Sequence, residues 1–175
     1  ALAIGADKAI RINLIPQDSY STAREIAHHI KSESYDLIIA GKESSDYNGG
    51  AVPGIISDML DIPFINACNG LSFTNEKVEL TREIDGGIEK LESSIPFIIG
   101  GQKGLVEESE LKIPNMRGIM TARTKPLEVL EPTENTSLTQ SISFEKPPVK
   151  GNCKMIDENN VTELINELHN VVKVI

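Results

Sequence analysis

The chain has 175 residues, of which 39% are hydrophobic and 25% charged, so it can build one sizeable core with at most a small addition. Only 4% are aromatic and tryptophan is absent, so the core must be aliphatic. The formal net charge of −9, from 26 Asp and Glu against 17 Lys and Arg, argues against a nucleic-acid binder. No apolar run approaches the ~20 residues of a membrane span, so we expect no membrane insertion.

Residues that could carry chemistry are sparse. Cys68 and Cys153 stand far apart without CxxC spacing and read as reduced packing residues. His28, His29 and His169 show none of the spacings typical of metal ligands, so no metal site is predicted. No Ser or Asp lies in a GxSxG or comparable nucleophile motif, and we predict no catalytic residue.

The opening segment "ALAIGADKAIRIN" reads as the end of a helix followed by a strand over 9–14, so we expect part of the fold to precede this chain. A helix follows in "STAREIAHHIKSE", where Thr22 and Glu25 have the spacing of a capping box. His28 and His29 flank its buried side and are expected to be solvated. That side carries apolar residues at helical spacing, namely Ala23, Ile26, Ala27 and Ile30.

Strands and helices continue to alternate up to residue 68. "YDLIIAG" is a continuous apolar run, which is typical of a strand buried on both faces of a parallel sheet, and "PFINAC" indicates another buried strand. Between them, "GIISDMLD" indicates a second helix. The resulting β-α-β-α-β order predicts a layered α/β domain.

After residue 70 the apolar residues recur at every second position. "LSFTNEKVELTREIDGGIEKLESSI" predicts an antiparallel meander with turns at Thr74–Lys77 and Asp85–Gly87. "PFIIGG" returns to a buried strand, "PNMRGIMTA" indicates a short helix, and "PLEVL" one more strand.

The chain ends in a polar arm and a helix. From Pro132 to Met155 there are few core residues, so we expect an arm that lies on another surface. Asp157 is the predicted N-cap of the last helix. We predict a domain over 1–131 and an arm with its helix over 132–175. The helix has an apolar stripe of Val161, Leu164, Ile165, Leu168, Val171 and Val172.

The loop "GKESSDYNGGAV" (41–52) leaves a buried strand and enters a helix, at the position where ligands bind in open α/β sheets. Gly49 and Gly50 allow close backbone approach to a phosphate, and a helix N-terminus favours an anion. Side chains able to add hydrogen bonds are Ser44, Ser45, Asp46 and Asn48. An ordinary glycine-rich turn with Asn48 as a helix cap explains the same residues, and the sequence alone leaves both interpretations open.

The hairpin "LTREIDGGIEKL" (80–91) crowds charged residues around one tight turn. A solvated hairpin whose charges aid solubility is one explanation. A surface that faces a partner is the other, and the residues alone favour the solvated hairpin.

The longer segment "LTREIDGGIEKLESSIPFIIG" resembles the signature of the electron transfer flavoprotein beta-subunit family. That signature has a basic residue, an Asp-Gly-Gly-like cluster, a Glu, and a Pro before a short apolar strand. Leu80 is bulkier than usual in the family, and Gly100 replaces a small Thr, Ala, Ser or Cys. "ALAIGADKAI", "DLIIAGKESSDYNGG" and "LKIPNMRGIMTARTKPLEV" resemble further family segments in the same order.

The resemblance implies a three-layer parallel-sheet α/β domain of the adenine-nucleotide alpha hydrolase-like (HUP-like) type, with an antiparallel hairpin excursion and a C-terminal arm ending in a helix. It implies a heterodimer with an alpha subunit that holds most contacts to FAD, while this subunit binds a structural AMP or, in the bifurcating class, a second FAD. Acyl-CoA dehydrogenases and a quinone oxidoreductase would be transient partners. The family's upstream strand–helix–strand–helix portion is expected to be absent from this chain.

The resemblance also assigns residues to these roles. The arm at 132–175 would pack on the alpha subunit, Arg82 and Glu83 would lie near its flavin domain, and Ile113 would anchor dehydrogenases with Leu111, Pro114 and Met116 beside it. Extra residues after Asn115 weaken the correspondence from Met116 onward, and Val52-Pro53 departs from the family's usual Thr-Gly or Val-Gly. The nucleotide loop would comprise Gly41, Lys42, Glu43, Ser44, Ser45, Asp46, Tyr47, Asn48, Gly49, Gly50, Ala51 and Val52.

The alternative is a universal-stress-type domain that binds an adenine nucleotide and transfers no electrons. That class should lack the "REIDGG" hairpin and the long arm. If the chain is an electron carrier of this family, we expect it in the cytoplasm of a bacterium or in the mitochondrial matrix of a eukaryote. The sequence does not distinguish AMP from a second FAD, nor name the electron donor and acceptor.

Overall fold

The computed structural model describes residues 1–74, 77–133 and 136–174. The chain forms two compact units, Ala1–Ser141 and Ile142–Ile175. The division at 131/132 that the sequence suggests stays a prediction, and the predicted turn at Thr74–Lys77 has its two central residues outside the described part. No helix in the described residues is both long enough and apolar enough to cross a membrane.

The first unit alternates strands and helices before its hairpin, as predicted. In chain order its elements are β1 (Ala9–Ile12), α1 (Ser19–Ile30), β2 (Leu37–Gly41), α2 (Ala51–Leu60), β3 (Phe64–Thr74), β4 (Lys77–Ile84), β5 (Gly87–Ser93), β6 (Phe97–Gly101), α3 (Met116–Ala122) and β7 (Leu127–Leu130). Two 3₁₀ turns, Leu2–Ile4 and Glu108–Glu110, complete it.

The strands form two open sheets. Five strands lie in the order β2-β6-β3-β4-β5, with β2, β6 and β3 parallel and β3, β4 and β5 antiparallel. β1 and β7 form a separate parallel pair. This mixed architecture of parallel strands, covering helices and an antiparallel hairpin confirms the predicted α/β class.

β6 is the centre of the core, because side chains on its two faces pack in different clusters. Ile98 packs with Ala23 and Ala27 of α1 and Ile56 of α2. On the opposite face, Phe97 and Ile99 pack with Ile65, Cys68, Val78 and Leu80. The core is aliphatic except for Phe97, as the composition requires.

β2 differs from the prediction that it is buried on both faces. Within the described residues it is an edge strand of the five-stranded sheet, paired only with β6. Ile39, in its middle, is 63% exposed. A run of apolar residues indicates a strand but cannot tell a central position from an edge one, so the expectation of two-sided burial was wrong here.

β3 is one strand where the sequence suggested two. Its first part pairs in parallel with β6 and its second part antiparallel with β4. The change occurs where Ala67 takes a positive φ of 55° and its N–H donates to the Asn66 side chain at 2.8 Å. Cys68 belongs to both the parallel and the antiparallel pairing, because it pairs with both Gly101 and Arg82. The irregularity changes the direction of the strand without ending it.

α1 has the predicted buried stripe but a different cap. Asp18 is the N-cap, and its carboxylate accepts the Ser21 N–H at 2.7 Å while the Ser21 hydroxyl oxygen accepts the Asp18 N–H. The Thr22–Glu25 capping box is therefore wrong: the Thr22 hydroxyl donates to the Asp18 carbonyl. His28 is exposed as expected, whereas His29 is half-buried and its Nε2 has no hydrogen-bond partner among the described residues.

Glu25 instead holds a later segment of the chain against α1. It is only 3% exposed, and its carboxylate accepts the N–H of Thr133 at 2.9 Å and the Thr133 hydroxyl. Asp18 repeats this contact at the helix start, where its second oxygen accepts the N–H groups of Leu138 at 2.6 Å and Thr139 at 2.9 Å. We call Thr133 and residues 137–139 the strap.

The second unit contains the predicted helix. α4 (Val161–Asn166) continues into a π-helical turn, Glu167–Val172. Its N-cap is Asn160, whose side chain accepts the Glu163 N–H at 3.2 Å, and not Asp157. Asp157 lies one turn earlier and accepts the Asn159 N–H. Most of the apolar stripe is exposed in this unit, including Val161, Ile165, Val171 and Val172.

Candidate functional site

The loop at 41–52 starts at the carboxyl end of the parallel strands. β2 ends at Gly41, and the N–H of Lys42 donates to the carbonyl of Gly101, the last residue of β6, at 3.1 Å. α2 begins at Ala51 with Gly50 as its N-cap, and no side chain caps it. Asn48 is therefore not the helix cap. The first N–H groups of α2 face an exposed loop, which is a geometry suited to an anion.

The loop holds its shape through its own hydrogen bonds. The Ser44 N–H donates to the Gly49 carbonyl at 3.0 Å, and the Ser44 hydroxyl oxygen accepts the Gly49 N–H at 3.2 Å. Hydrogen bonds from the Ser44 hydroxyl and from the Tyr47 N–H lower the pKa of Asp46 below its ordinary value. Asp46 is thus held as a carboxylate within the loop.

The two glycines of the loop are not equivalent. A Cβ at Gly50 would lie 3.0 Å from the Lys42 carbonyl oxygen, which is backbone and cannot rotate away. A Cβ at Gly49 would lie 3.5 Å from the Ser44 hydroxyl, an ordinary contact. The space around the loop therefore favours glycine at 50 and leaves room for a Cβ at 49.

Polar side chains that the sequence did not single out gather at the same edge of the sheet. The side-chain oxygens of Asn69 and Thr81 are hydrogen-bonded at 3.0 Å, and the Gln102 amide donates to Glu83 at 3.4 Å. A Cβ at Gly100 would lie 2.5 Å from the side-chain oxygen of Asn66. The sequence does contain a pattern that could have indicated these residues, since each Asn or Gln interrupts or directly follows a buried strand.

Arg82 and Glu83 point to opposite faces of the hairpin, because side chains alternate along a strand. Arg82 is opposite Glu89 on β5 and is ion-paired with it, Nε to Oε2, at 2.5 Å. Glu83 is opposite Ile88 on the other face and is exposed. The structure separates the predicted pair: Arg82 has a partner within the chain, and Glu83 is presented outward.

The residues around Ile113 form a different surface. Ile113 is 82% exposed, and Leu111, Pro114 and Met116 are exposed beside it. Asn115 caps α3 by accepting the Gly118 N–H at 2.8 Å. Ile113 lines a hollow together with residues 2–5 and Arg117.

The described residues contain no group of three or more His, Cys, Asp and Glu arranged to hold a metal ion. Cys68 is buried and Cys153 exposed, and both are free thiols.

Comparisons with known proteins bear on this arrangement. The profile of the electron transfer flavoprotein domain matches residues 1–135. The electron transfer flavoprotein subunit beta of Bacillus subtilis is 36% identical over 135 residues, covering 75% of this chain and 51% of that protein. The Syntrophomonas wolfei subunit beta is 33% identical over 178 residues, covering 99% and 69%. The human subunit beta is 31% identical over 157 residues, covering 85% and 60%.

The chain thus spans between about half and two thirds of the length of these relatives. The matches cover the loop, the hairpin and the segment around Ile113 in one continuous order. With a profile match over most of its length and a relative of which it covers more than two thirds, the chain belongs to the electron transfer flavoprotein beta-subunit family.

Proposed function

We propose that this chain serves as the beta subunit of a heterodimeric electron transfer flavoprotein, an electron carrier and not an enzyme in its own right. The observation that carries the proposal is the meeting of two elements at the carboxyl end of β6. Gly101 contacts the start of the 41–52 loop, and the adjacent Gln102 contacts Glu83 on the hairpin. A nucleotide at the loop and a partner subunit at the hairpin would therefore be neighbours.

The 41–52 loop is the proposed site of the structural nucleotide, AMP. Its fit rests on the N-terminus of α2, which no side chain caps, and on Gly50, where a Cβ would lie tightly against the Lys42 carbonyl. The first N–H groups of α2 would bind the phosphate. Ser44 and Asp46 would act indirectly by holding the loop in shape.

The hairpin is the proposed seat for the flavin domain of the alpha subunit. A shallow hollow on its outer face is lined by Ser72, Glu79, Thr81, Lys90 and Glu92. Glu83 lies on the same face as Glu79 and Thr81. When FAD is bound by the alpha subunit, its isoalloxazine ring supplies the electron uptake and release. The role of this chain is to orient that domain through the polar side chains of this surface.

The surface around Ile113 is the proposed docking site for dehydrogenases that donate electrons, with acyl-CoA dehydrogenases as the leading class. A quinone oxidoreductase is the proposed acceptor. An aliphatic side chain that is 82% exposed fits a transient contact, in which a few residues that become buried supply most of the affinity. The exposed stripe of α4 supports the proposal that the C-terminal arm packs on the alpha subunit.

A universal-stress-type nucleotide sensor is not favoured. The family profile covers residues 1–135, including the hairpin that such a domain would lack. Co-purification separates the two functions, because the electron carrier must retain an FAD-bearing alpha subunit.

The test is coexpression with the cognate alpha subunit, followed by mass identification of the bound nucleotides and by flavin reduction with an acyl-CoA dehydrogenase. We expect one FAD and one AMP per heterodimer and reduction of the flavin. A protein that binds an adenine nucleotide but neither an alpha subunit nor FAD would overturn the proposal.

A matched pair of variants tests the loop. Gly50→Val should lower AMP retention, because its side chain meets the Lys42 carbonyl. Gly49→Ala should retain AMP, since its Cβ makes only an ordinary contact. Equal retention in both variants would show that the nucleotide is bound elsewhere.

A further inference from the structure

One side of α1 carries basic residues at helical spacing. Arg24, His28 and Lys31 are four and three residues apart, so they lie next to one another along the helix. Among the described residues none of the three forms an ion pair. The chain has 26 Asp and Glu against 17 Lys and Arg, so basic residues without a carboxylate partner are unusual in it. They are available to an external anion.

The three basic residues line a hollow of the size that small ligands occupy. Its volume is about 350 Å³, and ligand pockets typically measure ~300–1,000 Å³. Ala27, Met59 and Thr133 of the strap complete its lining, which contains no Asp or Glu among the described residues. We call this the basic hollow. None of its residues belongs to the 41–52 loop, so it is separate from the proposed nucleotide site.

The C-terminus of α1 explains only part of this arrangement. Basic side chains complement the partial negative charge at a helix C-terminus, but this effect falls off within the last turn. His28 lies in the last turn of α1, and Lys31 directly follows its end at Ile30. Arg24 lies in the middle of the helix, out of reach of that effect. Its position favours an anion that all three residues bind.

A second hollow adjoins the basic one and differs from it in chemistry. It has a volume of about 530 Å³ and shares His28, Lys31 and Thr133 with the basic hollow. Glu25 and Glu131 add carboxylates to its lining. The Thr133 hydroxyl donates its proton to Glu25, but its oxygen can still accept a hydrogen bond. These groups would accept hydrogen bonds from ligand hydroxyls and would repel a second anion.

His29 supplies an independent indication of a ligand in the second hollow. It belongs to the lining, and its Nε2 is buried without a hydrogen-bond partner among the described residues. A buried polar atom that lacks a partner costs free energy. A ligand hydroxyl that reaches Nε2 would remove this cost.

We propose that the basic hollow binds a small phosphate monoester that carries hydroxyl groups. Arg24 binds the phosphate oxygens, a geometry that suits its planar guanidinium, and His28 and Lys31 add further donors. The hydroxyl end of the ligand occupies the second hollow. A diphosphate is disfavoured, because its second group would meet Glu25 and Glu131.

Such a ligand would also stabilise the strap. Thr133 lines both hollows, and Glu25 holds it on α1 through its N–H and its hydroxyl. A ligand that is bound by α1 and contacts Thr133 adds a second link between the helix and the strap. Local opening at Thr133 should therefore be rarer when the ligand is bound, and amide hydrogen exchange measures such opening.

The experiment uses the heterodimer saturated with AMP, so that the proposed nucleotide loop is filled. Glycerol 3-phosphate is titrated at low ionic strength by calorimetry, with glycerol as the blank. We expect it to bind, and we expect Arg24→Gln combined with Lys31→Gln to lower the affinity about tenfold or more, because hydrogen bonds from two cations are lost. No binding to the wild type, or equal affinity in the double variant, would overturn the proposal.

Lys103→Gln is the matched control, because Lys103 is an exposed lysine outside α1. It should bind glycerol 3-phosphate with wild-type affinity. A loss equal to that of the double variant would show that the ester responds only to the overall charge of the protein, and would overturn the site.

Amide exchange gives a second measurement that needs no variant. Exchange at Thr133 should slow with glycerol 3-phosphate and should not respond to glycerol. Unchanged exchange with the ester bound would overturn the placement of the ligand beside the strap.

Two further probes test the class of ligand. Inorganic phosphate should bind more weakly than glycerol 3-phosphate, because it leaves the second hollow empty, and equal affinity would overturn the ester as the ligand. Vesicles that contain phosphatidic acid test a lipid source of the same phosphate group. Sedimentation with them that requires Arg24 and Lys31, without binding of the free ester, would overturn the soluble ligand and assign the site to a membrane surface.

Discussion

The strap on α1 and the basic segment from Leu111 to Leu127, which has no Asp or Glu, use charge in opposite ways. At the strap, Asp18 and Glu25 accept hydrogen bonds from residues more than one hundred positions away in the same chain. In the basic segment, Lys112, Arg117 and Arg123 are exposed and form no ion pair among the described residues. Charges satisfied internally should affect folding, and charges left open should affect binding, so substitutions in the two regions should separate stability from partner affinity.

Among the substitutions of charged residues, the largest effect on stability is expected at Glu25. Glu25→Gln replaces one acceptor oxygen by an amide donor that faces the N–H or hydroxyl of Thr133. We expect the free energy of unfolding to fall by about 2 kcal/mol, since hydrogen bonds to charged groups contribute ~1.5–3 kcal/mol and unmet buried donors add a cost. Urea unfolding measures the change.

Glu33→Gln is the matched control, because Glu33 is an exposed carboxylate just after the same helix. Its effect should stay within about 0.5 kcal/mol. Equal changes in the free energy of unfolding of the two variants would show that the contact between Glu25 and the strap adds nothing to stability.

Ile113→Ala should produce the largest effect on binding. Truncating an anchoring aliphatic residue costs on the order of 1–3 kcal/mol of binding, a tenfold or greater loss of dehydrogenase affinity. The melting temperature should not change, because Ile113 is exposed. Ile98→Ala, at a fully buried position, is the contrast and should cost about 2–5 kcal/mol of stability. A clear drop in melting temperature for Ile113→Ala with unchanged affinity would contradict the docking role.

Asp18 should make the strap sensitive to acid. Hydrogen bonds from Ser21 first, and then from Thr139 and Leu138, hold the pKa of this carboxyl well below its usual range. The folded state therefore binds the proton less readily than the unfolded state, so Asp18 stabilises above the unfolded pKa of about 4, and this contribution is lost as pH falls toward the folded pKa.

Asp18→Asn should remove that dependence while largely keeping the helix cap, because Asn caps about as well as Asp. Amide hydrogen exchange at Leu138 and Thr139 should be faster in the variant at neutral pH and should approach wild-type behaviour in acid. Unchanged exchange at both amides would show that Asp18 does not anchor the strap.

The smallest effect on stability is expected at Glu83. Its contact with Gln102 is long and exposed, so Glu83→Gln should change stability by no more than the ~0–1 kcal/mol of a surface pair. Electron-transfer rates in the heterodimer should shift, because a charge facing the alpha subunit is lost. Glu33→Gln, which changes an exposed carboxylate outside the hairpin, serves as the control. Identical rates in both variants would favour the solvated hairpin.

Local sequence patterns predicted well those helices and strands that bury one face and expose the other. The stripe of α1 and the alternation of β4 and β5 are examples, because burial follows directly from the spacing of apolar residues. Ile113 is exposed, as its predicted docking role requires, and that role stays a prediction.

The sequence failed where distant contacts decide. Asp18 is the cap of α1 and also binds Leu138 and Thr139, which a local motif cannot reveal. Glu25 was interpreted as part of a cap because its partner, Thr133, lies 108 positions away. Ala67 has a positive φ without being glycine, so nothing in "PFINAC" indicated that the strand continues through it.

The continuity of β3 has a consequence for how the molecule tolerates change. Since Cys68 pairs with both β6 and β4, the hairpin inherits its alignment from the parallel strands. Removing one residue at the irregularity would shift the later part of β3 by one residue relative to β6 and exchange the two faces of the hairpin. The outward carboxylate of Glu83 would then turn toward the core, and Leu80 would turn toward water. The bend at Ala67 therefore fixes which face of the hairpin is turned to solvent. Insertions and deletions should be tolerated in the turn at Asp85–Gly87 and should be disruptive at Ala67.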